Sequence, residues 1–381
     1  MATDSPDSGR ELQSLVTAEG TVELRLADVP VPAPGPDEVL IRVEAAPINP
    51  SDLWLLLAGA DPSTGQISGP ADDPVFTAAI PAPRMRALTG RIGVPSAVGS
   101  EGAGTVIAAG SSPAAQALLG RLVSVAAGAM YSQYRSVPAD QCLPLPEGAS
   151  AEAGASAFVN PLTALGMVET MRREGHHALV HTAAASSLGQ MLTKLCLAED
   201  VPLVNIVRKP EQEKILRGIG AVHVLDSTSP SFTADLIQAL TQTSATLAFD
   251  AIGGGTLASQ ILTGMEVAAS AKMAGYSRYG SSTHKQVYIY GSLDLSPTVL
   301  NRGFGLVWGI GGWLLTPFLQ SIGPEAFQRL RGRVADGLLT TFATSYTAQV
   351  SLTGALQPDA VAAYARHATG EKYLIRPAQG A

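Results

Sequence analysis

ALVHTAAASSLGQ, residues 178–190, is the stretch on which the fold turns. It opens as a short apolar run (178–183) of strand type and leads into LGQMLTKLCLAE (188–199), which reads as a helix. The turn between them is built from small side chains, Ala183, Ala184, Ala185, Ser186 and Ser187, followed by Leu188 and a single glycine, Gly189. Strand, tight turn and helix in that order bring backbone N–H groups and a helix N-terminus up to a pyrophosphate. The usual GxGxxG is degraded here. Small side chains still permit close approach, and the serines can donate to phosphate oxygens. Taken alone, the turn reads as well as a plain strand–helix connection.

Working outward, the pattern repeats downstream. PLVNIV (202–207) and AVHVLD (221–226) read as strands, and PEQEKILRGIG (210–220) between them as a helix ending at Gly220. Helical SFTADLIQALTQ (231–242), strand TLAFDAIG (246–253), a helical stretch at 257–269 and strand VYIYGS (287–292) follow. Such alternation implies right-handed crossovers and a doubly wound parallel sheet covered on both faces, an α/β fold. In a dinucleotide-binding unit the residue closing the second strand faces the adenine ribose. An acid there suits the 2′-hydroxyl of NAD, and a cation suits the 2′-phosphate of NADP. This chain has Arg208 there, then Lys209, with Lys214 about a helical turn later. Read singly these are solvated surface charges; behind the turn at 183–189 they favour NADPH.

Upstream the texture differs. Residues 1–153 are rich in turns and strands, with VLIRVEAAPI (39–48) and RLVSVAA (121–127) the clearest runs. Residues 58–96 read as irregular, a surface insertion or an active-site flap. We expect a β-rich domain over 1–153, the nucleotide domain over 154–320, and a C-terminal part, 321–381, returning to the first. Its final segment, AVAAYARHATGEKYLIRP, reads as a helix and then a strand.

Composition narrows the classes. The 381 residues are 46% hydrophobic and 15% charged, with 25 basic against 32 acidic side chains, so the chain can build large cores. The net charge of −7 argues against a broad grip on nucleic acid. Two cysteines, Cys142 and Cys196, cannot staple a scaffold or form a four-thiolate zinc site. MATDSPDSGR (1–10) is polar and reads as a short frayed tail rather than a secretory signal. Cytoplasmic location is the default expectation. The uncharged stretch 303–324 is long enough for a bilayer, but its glycines, Pro317 and the alternation of Phe304, Leu306 and Trp308 suit a buried or interface strand better.

Several segments in order carry a resemblance: INPSDLW (48–54), VGSEGAGTVIAAG (98–110), VPADQCLPLPEGAS (137–150), NPLTALGMV (160–168), ALVHTAAASSLGQ, GAVHVLD (220–226), FDAIGG (249–254) and TGEKYLIRP (369–377). Together they resemble the medium-chain dehydrogenase/reductase superfamily on its zinc-independent quinone oxidoreductase side. AASSLGQ and NIVR also resemble the mitochondrial-type enoyl thioester reductases of that superfamily. The resemblance implies a Rossmann domain enclosed by a split, GroES-like catalytic domain, with NADPH as cofactor. Where the zinc-dependent branch carries a histidine, this chain has Ser100, and no zinc is expected. His176 and His177 read as surface residues. Without a metal, quinones or conjugated C=C bonds are the fitting acceptors, because their reduction spreads charge over an enolate or hydroquinone anion.

By the same resemblance Asn49 lies near nicotinamide and acceptor, and Asn160 and Thr163 face the cofactor; read singly, each asparagine is equally a turn or cap residue. Trp54 stands where relatives often place a tyrosine, but indole cannot supply a proton at neutral pH. Tyr131 is then the next donor candidate, or else a buried structural tyrosine. Gly253, Tyr290 and Gly291 end later strands at the ligand-binding edge of the sheet. Lys372 either approaches the cofactor or is a surface lysine. Tyr276 and Tyr279, in the polar segment 273–285, either lap over the substrate mouth or lie in a surface loop. The segment 304–313 would pair with its copy in a homodimer. The expected activity is NADPH-dependent reduction of a quinone or other α,β-unsaturated carbonyl, with no membrane or nucleic-acid partner. An enoyl thioester reductase is the alternative enzyme, although 53–75 lacks the tyrosine it would need; a low-turnover NADPH-binding sensor is the alternative of another class.

Overall fold

The computed structural model describes residues 6–366 and 368–379. The chain divides into two units: Met1–Val159 with Arg331–Ala381, and Asn160–Leu330.

The second unit is built on six parallel strands. Across the sheet they run His223–Asp226, Leu203–Val207, Leu179–Thr182, Leu247–Asp250, Lys285–Ile289 and Trp308–Gly312. Numbered along the chain this is 3-2-1-4-5-6, the dinucleotide-binding order, so the direction of winding reverses between Leu179–Thr182 and Leu247–Asp250. Strands buried on both faces must be apolar throughout, and Val180, Val204, Ile206, Ala248 and Val287 meet the helices Phe232–Thr243 and Leu257–Ser270 on one face. Gly220 ends the helix Pro210–Ile219 in the left-handed conformation (φ 108°), as a glycine at that place should.

In the first unit, Ser8–Val16 and Thr21–Pro30 form an antiparallel hairpin within a five-stranded sheet. Residues 1–5 of the expected frayed tail lie outside the described residues, and from Ser8 onward the tail is this edge of the hairpin. The stretch 58–96 is less irregular than expected, because Gln66–Ser68 and Val75–Ala79 extend the same sheet and bury Phe76. A second sheet centres on Glu38–Pro47, where alternate side chains Val39, Ile41 and Val43 enter the core. The C-terminal strand Tyr373–Ile375 pairs antiparallel with it (Leu374 opposite Pro47), as the sequence led us to expect.

Two further expectations need revision, the extent of the strand in 304–313 and the exposure of His176. Within 304–313 only Trp308–Gly312 is a strand; Phe304 is a core residue packed edge-on against the Trp308 ring. No helix among the described residues is long and apolar enough to cross a membrane. The segment 273–285 enters Lys285–Ile289 from its amino end, opposite the ligand-binding edge of the sheet, so Tyr276 and Tyr279 are exposed surface residues far from the strand ends that matter. That loop is tied down by a buried ion pair, Lys285 Nζ to Glu266 Oε2 at 2.6 Å, with Ser281 and Ser270 hydroxyls also donating to Glu266. His176 is buried, its Nδ1 2.7 Å from the Thr246 hydroxyl; only His177 is at the surface.

Candidate active site

The candidate residues fall into one group in each unit. In the second unit, the N-cap of the helix Ser187–Ala198 is Ser186, whose hydroxyl accepts the Gly189 N–H at 3.2 Å. Among the described residues, the N–H groups of Ala185, Ser187 and Leu188 have no acceptor, which leaves a helix N-terminus with open donors. Gly189 is a glycine out of necessity: a Cβ there would stand 2.1 Å from the Ala184 carbonyl oxygen. Ala183 takes the left-handed conformation (φ 50°), which alanine rarely adopts and a glycine would hold without strain.

The reversal point beside this turn is pinned by Asp250. Its carboxylate accepts the Thr182 hydroxyl at 2.7 Å, the Ile252 N–H at 2.9 Å and the Gly253 N–H at 3.2 Å. Gly253 (φ 80°) and Gly291, whose Cβ would meet the Ala251 carbonyl at 2.7 Å, keep the neighbouring strand ends close. Tyr290 contacts His181 (hydroxyl to Nε2, 2.7 Å) and its ring stacks on the imidazole. Burial depresses His181 to about 3, so that imidazole is neutral. Tyr290 is therefore anchored inward. Arg208 and Lys209 are exposed just past Leu203–Val207, with Lys214 on the exposed side of the next helix; the Arg208 guanidinium has no partner among the described residues. Asn160 and Thr163 lie in the first turns of Val159–Arg173. The open N–H groups, the glycine cradle and these cations make a donor set that fits a dinucleotide carrying a 2′-phosphate.

In the first unit, Asn49 anchors a buried polar cluster. Its backbone N–H donates to Asp52 Oδ2 at 2.9 Å and its carboxamide Nδ2 donates to Glu101 Oε1 at 2.9 Å. Glu101 Oε2 also accepts the Phe158 and Val159 N–H groups, at 2.8 and 2.9 Å, capping the start of the helix that follows. Asp52 accepts Ser100 N–H, the Ser100 hydroxyl and the Tyr131 hydroxyl. Burial raises both carboxyls above the ordinary range, and the N–H and O–H donors that converge on each offset part of that rise. Tyr131 is thereby removed as a proton donor. Its fully buried hydroxyl is shared between Pro47 O and Asp52, 3.0 Å from each, and desolvation beside that carboxylate drives it well above the ordinary tyrosine range. Trp54 lies on the helix Asp52–Leu57 and is 57% exposed, so it is a surface indole rather than part of the buried cluster.

Lys372 is not a surface lysine. It is buried, and its Nζ donates to Ser156 Oγ at 2.7 Å; Ser156 in turn meets the Tyr346 hydroxyl at 2.8 Å. Sequence reasoning missed Glu101, Ser156 and Tyr346. The signal for Glu101 was present: a lone acid inside the small, apolar run VGSEGAGTV should be paired or it would not be buried. Nothing comparable marks Ser156 or Tyr346.

The profile of the alcohol dehydrogenase GroES-like domain matches residues 35–147. A solved structure from Mesorhizobium loti, of a protein assigned as an NADPH:quinone reductase, superposes with a TM-score of 0.72 at 27% identity, covering 98% of this chain and 100% of that one. A quinone oxidoreductase of Pseudomonas aeruginosa is 27% identical over 167 residues, 43% of this chain and 51% of that protein. The synaptic vesicle membrane protein VAT-1 homolog of Rattus norvegicus is 25% identical over 240 residues, 62% of this chain and 52% of that protein. The chain thus spans about half the length of the curated relatives it matches. It carries a GroES-like domain beside a 3-2-1-4-5-6 parallel sheet, and along its length it is similar to an NADPH:quinone reductase of the medium-chain dehydrogenase/reductase type.

Proposed function

We propose that the protein is an NADPH-dependent reductase of quinones or other α,β-unsaturated carbonyls, working without zinc. The observation that carries the reading is the open helix N-terminus at 185–188 above the glycine-cradled turn, with Arg208 and Lys209 past the next strand. NADPH bound there would supply a hydride to the acceptor. The turn would hold the pyrophosphate by its N–H groups, and Arg208 would clamp the 2′-phosphate with two parallel hydrogen bonds. Asn160, Thr163, Gly253 and Gly291 would border the cofactor. Asn49 would present its carboxamide oxygen, oriented by Glu101, to a ligand donor. Ser100, at the place of a zinc ligand in the metal-dependent branch, is bonded to Asp52 and suits a metal-free site. Two of the likenesses, from Mesorhizobium loti and Pseudomonas aeruginosa, are quinone reductases by name, which supports a small flat acceptor. A solved enoyl thioester reductase shares the fold, so the thioester is the competing acceptor.

Stopped-flow absorbance at the NADPH band tests this with an ortho-quinone, an enone and an enoyl-CoA in parallel. Rapid oxidation with the first two is expected. Turnover only with the thioester would replace the reading by an enoyl thioester reductase, and tight binding without oxidation by a sensor. Cofactor preference has a separate readout: Arg208→Glu should weaken NADPH by roughly a hundredfold, the worth of one charge-assisted bidentate contact, and leave NADH within about threefold. Equal loss for both nucleotides would remove Arg208 from the 2′-phosphate.

We also read the protein as a homodimer. Among the described residues Trp308–Gly312 pairs on one side only, with Lys285–Ile289, and Leu306 and Leu314 beside it are 70% and 65% exposed. An apolar, unpaired edge of this kind is covered in stable proteins, here by its own copy.

A further inference from the structure

The polar cluster of the first unit contains two buried groups that the protein leaves unfilled. The Asn49 carboxamide oxygen is buried and accepts no hydrogen bond from the described residues, while its Nδ2 is fixed on Glu101, so the amide cannot turn over to relieve it. The Lys372 ammonium has three N–H donors, and its only side-chain hydrogen bond among the described residues is the one to Ser156. A buried cation short of acceptors and a buried acceptor short of a donor are both costly, and both border Glu101. An oxygen that first accepts from an ammonium and then, once protonated, donates to a carboxamide would satisfy the two in turn. The carbonyl oxygen of a quinone or enone undergoes that change during reduction.

We propose that Lys372 is the proton donor of the reaction, with Ser156 and Tyr346 as its route of reprotonation. This rests on the reading of the chain as a quinone or enone reductase. When a hydride adds to the acceptor, the electron pair of the π bond comes to rest on the carbonyl oxygen. The Nζ–H bond of Lys372 then breaks with its pair left on nitrogen, and an O–H bond forms, giving the enol or hydroquinone. The new hydroxyl donates to Asn49 Oδ1. The neutral amine takes a proton from the Ser156 hydroxyl, which is replenished through the half-buried Tyr346 hydroxyl and water. The charged groups facing Lys372 are Glu101 and Asp52, with Glu152 and Arg376 beyond Tyr346 and the Tyr346 ring itself 5.7 Å from Nζ. Burial brings the ammonium down to about 8 against the pull of the two carboxylates, which suits a donor working near neutrality.

The test uses the full chain with NADPH and an ortho-quinone. Wild-type kcat should fall tenfold per pH step above about 8, because the ammonium is the donor and is lost there. Lys372→Met and Lys372→Arg should both lower kcat by about 10²- to 10⁴-fold and abolish that limb, with the NADPH Kd changed less than threefold. Arginine keeps the charge and cannot release the proton, so a rate within threefold of wild type in Lys372→Arg would overturn the donor role. Nitrogen NMR of Lys372 Nζ in the ligand-free protein provides a readout that needs no variant to fold. A midpoint near 8 supports the proposal, and one at the ordinary lysine value overturns it. If wild-type protein binds NADPH and reduces the quinone but the limb survives in Lys372→Met, the proposal fails alone. If wild type oxidises no NADPH with any acceptor, the functional reading fails and takes the proposal with it.

Discussion

Gly189→Ala should lower the unfolding free energy in urea by about 2–3 kcal/mol, although alanine is the better helix former. The added Cβ would lie 2.1 Å from the Ala184 oxygen, 2.6 Å from its carbon and 2.8 Å from its Cα. All three are backbone atoms, so no side-chain rotation relieves the clash. The helix Ser187–Ala198 must move off the turn, pulling the Gly189 N–H from the Ser186 hydroxyl and splaying the open N–H groups at 185–188. NADPH binding should fall with it. Gly332→Ala is the matched control. Position 332 lies inside Pro324–Gly337, and a Cβ there meets nothing within 4 Å, so the same change should stabilise by roughly 0.5–1 kcal/mol. Parallel urea titrations check the contrast, and equal midpoints for the two variants would show that the close approach at 189 is not what demands glycine.

Lys285→Met should destabilise by about 3–5 kcal/mol, the penalty for removing one partner of a buried pair. Lys285 is fully buried, and its ammonium donates to Glu266, to the Ser281 hydroxyl at 3.1 Å and to the Thr283 carbonyl at 2.8 Å. Methionine fills a similar volume but strands the Glu266 carboxylate in the interior. Burial pushes that carboxyl up, yet the bonds from Lys285, Ser281 and Ser270 outweigh it and hold the group at about 2, against an ordinary 4.5. A folded value below the unfolded one means that the contribution is complete above pH 4.5 and is lost as pH falls from 4.5 to 2. Thermal melts across that range should be steep in wild type and flatter in Lys285→Met. Adding Glu266→Gln should restore at least half of the loss at neutral pH, since no charge is then left alone. A double variant no more stable than the single would locate the cost in packing rather than in the ion pair.

The loop 273–285, left open in the sequence between a flap over the substrate mouth and a surface loop, illustrates what only the tertiary structure decides. Its polarity and two tyrosines resemble a lid, and only the direction of the sheet shows that it joins the amino end of a strand, away from the ligand edge. His176 was read as exposed, and Lys372 was left open between a cofactor contact and the surface, for a related reason. Polar side chains near predicted boundaries look exposed until the partners that permit burial, Thr246 and Ser156, are brought alongside from 70 and 216 residues away. Tyr131 was legible as either a donor candidate or a buried structural tyrosine, and only the structure shows its hydroxyl bonded to Pro47 and Asp52 and Trp54 exposed. Arg208, by contrast, was singled out from its offset after one strand taken together with the preceding turn, and it is exposed just past that strand.

The order of strands and helices after residue 178, the small-residue turn, the cation past the second strand and the return of the last strand to the first unit all follow from the sequence. They depend on hydrophobic period, chain chirality and local turn chemistry, which act over a few residues and can be read along the chain. The buried cluster of Asn49, Asp52, Glu101, Tyr131, Ser156 and Lys372 was decided by tertiary structure. Its members stabilise one another only across distances of up to 216 residues in sequence, where desolvation sets the cost of each charge and the partner that offsets it is fixed by how the sheets close.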